Sequence, residues 1–170
     1  MKRAVGLNLQ LPAPISLRLA DSGDLEFLRA VYASTRWEEL SVTGWDDAQK
    51  LAFLEMQFHA QDTHYRAHYS SAEFLVVLEE RRPVGRLYLD SDPAELRVMD
   101  IALLTPHRGR GLGRSLMQAV LERAREGGQR VTLHVEHQNP ARFWYERLGF
   151  RALEDRGVYL FMEWRSAPLN

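Results

Sequence analysis

Three glycines and three arginines crowd one short segment of the chain. Gly109, Gly111 and Gly113 alternate with Arg108, Arg110 and Arg114, and Leu112 completes the run. Glycine in the first turn of a helix weakens it. Arginine in the same place opposes the positive end of the helix dipole. A bound anion offsets both penalties. Backbone without Cβ atoms approaches a bulky ligand closely, and the first N–H groups of a helix have no internal partners. Guanidinium groups fork onto phosphate oxygens. These residue types therefore predict a grip for a phosphate or pyrophosphate. Without such a ligand the run reads as a solvated loop. The Walker pattern fails, since the segment holds no lysine. The dinucleotide fingerprint fails too, because Leu116 stands where its third glycine is needed.

A second constellation occupies 133–150. Asn139 and Pro140 suit a helix start, Tyr145 falls within that helix, and Gly149 ends it. Phe143, Trp144 and Leu148 read as its core-facing residues.

Both constellations need elements to place them. Ile15 to Leu19 alternates like a strand. Asp21 or Ser22 then caps a helix that carries Leu25, Leu28, Val31 and Tyr32 at helical spacing. Residues 37–45 read as a loop. Asp46 caps a second helix to about His68, with Leu51, Phe53, Leu54, Met56 and Phe58 as its apolar face. Strands follow near 74–78, 84–90 and 95–104, the first two as a hairpin. A helix over 111–126 stops at Gly127 and Gly128. A strand over 130–136, a short helix over 140–148 and a final hairpin complete the order β-α-α-β-β-β-α-β-α-β-β. That order predicts an α/β fold, a mixed sheet of about seven strands with helices on both faces.

The 170 residues suit a single domain, with residues 1–13 and 165–170 as loose tails. A net charge of −1 gives no general electrostatic case for nucleic acid or an anionic membrane as partner. No apolar run is long enough for a membrane span. The absence of cysteine removes disulfides, thiolate metal sites and a cysteine nucleophile, and it fits a reducing cytoplasm.

Arg108, Gly111 and Gly113 form R-x-x-G-x-G, which resembles the pyrophosphate-binding motif of the GCN5-related N-acetyltransferase (GNAT) family. The 133–150 segment is similar to that family's N-x-x-x-x-x-Y-x-x-x-G-F motif. The specific matches cover about 95–150. The resemblance implies acetyl-coenzyme A as co-substrate. It also implies coenzyme contacts from Ile101, Leu103, the 108–114 turn (Arg108, Gly109, Arg110, Gly111, Leu112, Gly113 and Arg114), Asn139 and Tyr145. Its pantetheine arm would lie between two splayed strands, its amides paired to strand backbone. The Leu103 N–H would polarise the thioester carbonyl. Tyr145 would be the general acid that protonates the leaving thiolate, and the amine would attack directly in a ternary complex. Homodimers are frequent among relatives.

The general base is less legible. Arg97 and Met99 stand where several family members place a histidine or glutamate. Asp100 is nearby but on alternating parity, so strand geometry turns it to the other face. It reads either as the base or as a partner for an arginine. Glu136, His134, Glu73 and a water chain are further options.

The acceptor wall falls at about 33–46 plus the final hairpin. Trp37, Glu38, Glu39 and Trp45 there, with Phe58, His59, His64, Tyr65 and His68 on the next helix, would suit a cationic amine, small molecule or peptide. The same aromatics can equally be core. Arg86 and Arg97, if both faced the cleft, would suit an anionic acceptor. His64 and His68 share a helical face but lack the H-E-x-x-H register, so no metal is expected. Two rivals stand beside the N-acetyltransferase reading: a non-catalytic acyl-coenzyme A sensor or scaffold, and a protein N-terminal acetyltransferase.

Overall fold

The computed structural model describes residues 5–167. The chain forms β1 (Ile15–Leu19), α1 (Leu25–Arg36), α2 (Asp47–His68), β2 (Glu73–Glu79), β3 (Arg82–Ser91), β4 (Glu95–Leu103) and α3 (Leu112–Gly127). It continues with β5 (Arg130–Glu136), α4 (Ala141–Arg147), β6 (Arg151–Arg156) and β7 (Tyr159–Trp164). The element order is the one read from the sequence. All seven strands join one sheet in the order β1-β2-β3-β4-β5-β7-β6. Only β4 and β5 pair in parallel. No helix among the described residues is long and apolar enough to cross a membrane.

Side chains build the 3-10 turn (Ser22–Asp24) that leads into α1, and the start of α2. Asp21 accepts from the Gly23 N–H, and Asp24 accepts from the Asp21 N–H while Arg18 forks onto its carboxylate. Asp46 and Gln49 form a reciprocal capping box at α2. Leu28 and Tyr32 of α1 and Leu54 and Phe58 of α2 pack on one sheet face, against Val76 and Tyr88. Leu112, Leu116, Met117 and Val120 of α3, with Tyr145 of α4, pack on the other. The expected apolar face of α2 is too wide: Leu51 and Met56 are exposed, and only Leu54 and Phe58 are buried.

Two segments read as irregular differ in detail. Residues 38–43, within the expected loop, wind into a 3-10 turn (Glu38–Thr43) that ends at left-handed Gly44. Residues 1–4 and 168–170, parts of the expected tails, lie outside the described residues. The remainder of the first segment packs down. Val5 and Leu9 enter the core, and the Val5 and Gly6 N–H groups donate to Glu73.

One irregularity of the sheet creates the cleft. β4 and β5 pair only at Glu95↔Arg130, Leu96↔Val131 and Arg97↔Thr132, although β4 runs on to Leu103 and β5 to Glu136. Beyond Arg97 the two strands splay. Backbone along this gap is left without its sheet partner.

Candidate active site

The glycine turn sits at the top of the gap. A short 3-10 turn (Thr105–His107) leads from β4 into it. Gly109 and Gly111 take φ of 73° and 85°, the left-handed region that L side chains adopt only with strain. Nothing lies within 4 Å of a Cβ built on either residue. Packing therefore does not demand these glycines; the turn's path does, and it leaves the start of α3 bare. Arg114 lines the space in front of that start, and no carboxylate neutralises it among the described residues. Arg108 donates through Nε to the Leu103 carbonyl at 2.8 Å and reaches Ser34 at 3.4 Å, which ties the turn to α1. Arg110 is turned away, onto Glu79 at 3.2 Å. Leu112 is buried in the core, so only its backbone can serve a ligand.

The Leu103 carbonyl accepts from Arg108 while the Leu104 N–H donates to Val84 in β3. Backbone groups alternate sides along a strand, so those of Leu103 and Ile101 face the gap. α4 closes the other side. Asn139 leads into it, its Oδ1 accepting from the Ala141 N–H at 2.9 Å, which leaves its amide NH2 for other use. At the far end of α4 the Phe150 N–H bonds back to the Tyr145 carbonyl and the Gly149 N–H to Glu146. This Schellman closure fixes Tyr145 in the helix. The Tyr145 ring packs on Phe150 at 5.7 Å and is 8% exposed. Burial, then the charge of Asp100, push its phenol well above the usual tyrosine range.

Three cavities of about 450, 650 and 560 Å³ share Ile101 and Asn139, and so form one cleft through the splay. Tyr145 borders the glycine-turn cavity and the smallest one. Asp100 borders the smallest and the one beneath α1.

Asp100 is in the cleft because the strand is irregular. Tyr88 pairs with Asp100 but Leu89 pairs with Val98, so Met99 is an extra residue on β4. Such a bulge shifts the side-chain alternation by one. Met99 and Asp100 then both lie toward α1 and α2, which corrects the parity expected from a regular strand. There Asp100 forms an ion pair with Arg86. Arg86 is 2% exposed, lies 4.7 Å from the Tyr88 ring centroid and donates to Gln61 at 3.0 Å. Among the described residues its Nε and Nη1 have no hydrogen-bond partner, nor does the Tyr88 hydroxyl.

The other candidate bases separate. Glu136 borders both cavities that Asp100 borders, and is paired with Arg36 at 3.0 Å. His134 borders the smallest cavity, while Glu73 is spent on the N-terminal segment. Of the expected acceptor wall, His64, Tyr65 and Glu39 reach the cleft. Trp37 packs into the core beneath α1, and Trp45 meets Phe53 edge-on at 5.2 Å. His64 and His68 lie ring to ring at 4.4 Å. Arg36 and Tyr159, inside the expected wall but not singled out there, also line the cleft, and the sequence reading missed Gln61 and Tyr69. Tyr69 and Tyr159 stand 90 positions apart, on different elements, so no local pattern joins them.

The family model described as "Acetyltransferase (GNAT) family" matches residues 36–150. A mycothiol acetyltransferase of Corynebacterium aurimucosum is 42% identical over 74 residues, 42% of this chain and 24% of that protein. The [ribosomal protein bS18]-alanine N-acetyltransferase of Haemophilus influenzae is 30% identical over 86 residues, 50% of this chain and 59% of its own length. The match thus spans less than two thirds of either relative. Among solved structures, the PaiA N-acetyltransferase of Thermoplasma acidophilum in complex with coenzyme A superposes with a TM-score of 0.66 at 18% identity, over 89% of this chain and 99% of its own. Naa50 of Arabidopsis thaliana, in complex with a bisubstrate analogue, gives 0.56 at 17% identity, over 88% and 96%. At these identities the structural likeness is one of fold.

Proposed function

The chain belongs to the GNAT acetyltransferase family, and from that premise we propose that it moves the acetyl group of acetyl-coenzyme A to a primary amine by direct attack in a ternary complex. One observation carries the reading. The gap between β4 and β5 joins an anion-seeking helix start to a buried, protonated phenol, with gap-facing backbone between them.

The residues present fit the coenzyme. The bare turn at Gly109 and Gly111, with Arg108 and Arg114, would hold the pyrophosphate. Gap-facing backbone of Ile101 and Leu103, with the Asn139 amide, would hold the pantetheine arm. The coenzyme supplies the activated acetyl group. The Leu103 N–H would stabilise the oxyanion as the amine nitrogen bonds to the acetyl carbon. Asp100, held in the cleft by Arg86, orients the ammonium and takes its proton. The carbon–sulfur bond then breaks, and Tyr145 gives its hydroxyl proton to the departing sulfur. After attack the nitrogen gives up a second proton to solvent; Asp100 then sheds the first and Tyr145 regains its own, so each turnover releases one proton net. No acyl-enzyme is formed.

Release of coenzyme thiol, measured against a panel of amines and peptides, tests the reading. Amine-dependent release is expected. Coenzyme binding by calorimetry without such release would support the non-catalytic sensor, and no binding would end both.

A further inference from the structure

The smallest cavity is chemically two-ended. At one end lie Asp100 and Tyr145. At the other, where β4 and β5 part, stand Arg97 and His134. Arg97 belongs to a cationic patch. Arg97, Arg130, Arg151, Arg156 and Arg165 face three carboxylates, Glu95, Glu154 and Glu163. Among these arginines Arg97 alone borders the cavity, and its own contacts are slack. It reaches Glu95 at 3.5 Å and Thr132 at 3.4 Å, both at the limit of a hydrogen bond. Glu95 meanwhile sits closer to Arg130, at 3.1 Å.

His134 adds a donor of fixed orientation. Arg156 approaches its Nε2 at 2.8 Å. A guanidinium can only donate, so Nε2 must accept and the ring proton sits on Nδ1. Partial desolvation, then the charges of Arg97 and Arg156, hold the imidazole below the usual histidine range and keep it in this neutral form. The walls carry phenols from Tyr65, Tyr69 and Tyr159, beside the mutually paired Arg36 and Glu136.

We propose that this cavity selects an acceptor carrying two charges: an amine placed at Asp100 and, several bonds away, a carboxylate placed at Arg97 and His134. The proposal rests on the acetyltransferase reading and narrows its substrate. Arg86, which as a second cation in the cavity would have favoured a purely anionic acceptor, is buried behind Asp100 and does not border that cavity. Across the bulge, Arg97 and Asp100 pair with Asp90 and Tyr88, two positions apart on β3, a strand span of roughly 7 Å. That spacing disfavours α-amino acids, whose amine and carboxylate are adjacent. It suits ω-amino acids and short peptides with free termini.

The test compares matched acceptors at saturating acetyl-coenzyme A: 6-aminohexanoate and glycylglycine, each against its carboxamide, and free glycine. We expect kcat/KM for each acid to exceed that of its amide roughly tenfold, the scale of one charge-assisted hydrogen bond, and glycine to be poor. Arg97→Met should bring the acid-to-amide ratio toward one, and Arg97→Lys should restore part of it. A purely structural role for Arg97 would lower both members of a pair alike. Calorimetry of the same ligands on the coenzyme A-loaded protein gives a readout that needs no turnover. Equal use or binding of acid and amide by the wild type, or a ratio untouched in Arg97→Met, overturns the proposal while leaving the acetyltransferase reading intact. Absent coenzyme binding or amine-dependent thiol release overturns that reading instead. A difference between 6-aminohexanoate and glycylglycine assigns the acceptor to the ω-amino acids or to peptides.

Discussion

Tyr145 and Asp100 are held in place by unlike means. Tyr145 is fixed by the closure of its own helix and by Phe150, and burial keeps its phenol protonated well past the usual range. Because the folded-state value is raised, the acid form persists through pH 10. Loss of kcat from its ionisation should therefore begin above pH 10. An alkaline break below pH 10 that vanishes in Tyr145→Phe would contradict this. The same variant should lower kcat by about 100-fold, the lower range for a positioned general acid, and shift acetyl-coenzyme A affinity no more than about threefold. Asp100 is held instead by Arg86, a buried cation with two unsatisfied donors against tyrosine rings. Arg86→Met strands a partly buried carboxylate and should cost about 2 kcal/mol of stability. Adding Asp100→Asn should return much of that loss. Urea unfolding of the four proteins gives the cycle, and additive losses would show that the pair is not coupled.

At the scale of elements, the glycine turn and the fourth strand differ in how visible they were. The turn was legible because its logic is local: glycine spacing, a preceding strand and a following helix all lie within about twenty residues. Caps at Asp46 and Gly128 and the helix breaker Gly149 were legible for the same reason. The bulge at Met99 was not, since register is decided by pairing with β3 and leaves no mark in the β4 sequence. The parity of Asp100 was misread on that account. Arg110 looked equivalent to Arg108 and Arg114 until Glu79, on another strand, claimed it. Gly111 permits a clean test of the turn. Gly111→Ala should cost about 1–2 kcal/mol for left-handed backbone, with no clash, since the space around a Cβ is open. Gly111→Glu carries the same strain and adds an anion where a diphosphate is expected. Acetyl-coenzyme A affinity measured by calorimetry should fall modestly in the first and become undetectable in the second. Equal losses would mean that backbone path, not charge, governs the site.

For the whole molecule, the cleft exists because the sheet is nearly two sheets. β1 to β4 and β5 to β7 meet through three parallel pairs alone. Arg130 spans that seam. It donates to Glu163 of β7 at 2.9 Å and lies 3.1 Å from Glu95 of β4, close enough for charge attraction but without hydrogen-bond alignment. Glu163 is buried and also receives Arg165 and Arg151. The Arg165 hydrogen bond first, opposed by burial and aided by Arg130 and Arg151, holds its carboxyl down at about 2. A carboxylate whose folded-state value is lowered stabilises the fold fully above its unfolded value, near 4.5, and loses that contribution as pH falls toward 2. Glu163→Gln should therefore cost roughly 2 kcal/mol at pH 7 after discounting for the exposed arginines. Its deficit against wild type should shrink steadily between pH 4.5 and 2, the window set by the unfolded and folded values. Urea unfolding at pH 7 and near pH 2.5 checks this, and an equal deficit at both would place the effect in packing rather than charge. Arg130 also stands in the three-pair stretch from which the two strands splay. The substitution should thus weaken acetyl-coenzyme A binding at neutral pH even though Glu163 borders none of the three cavities of the cleft.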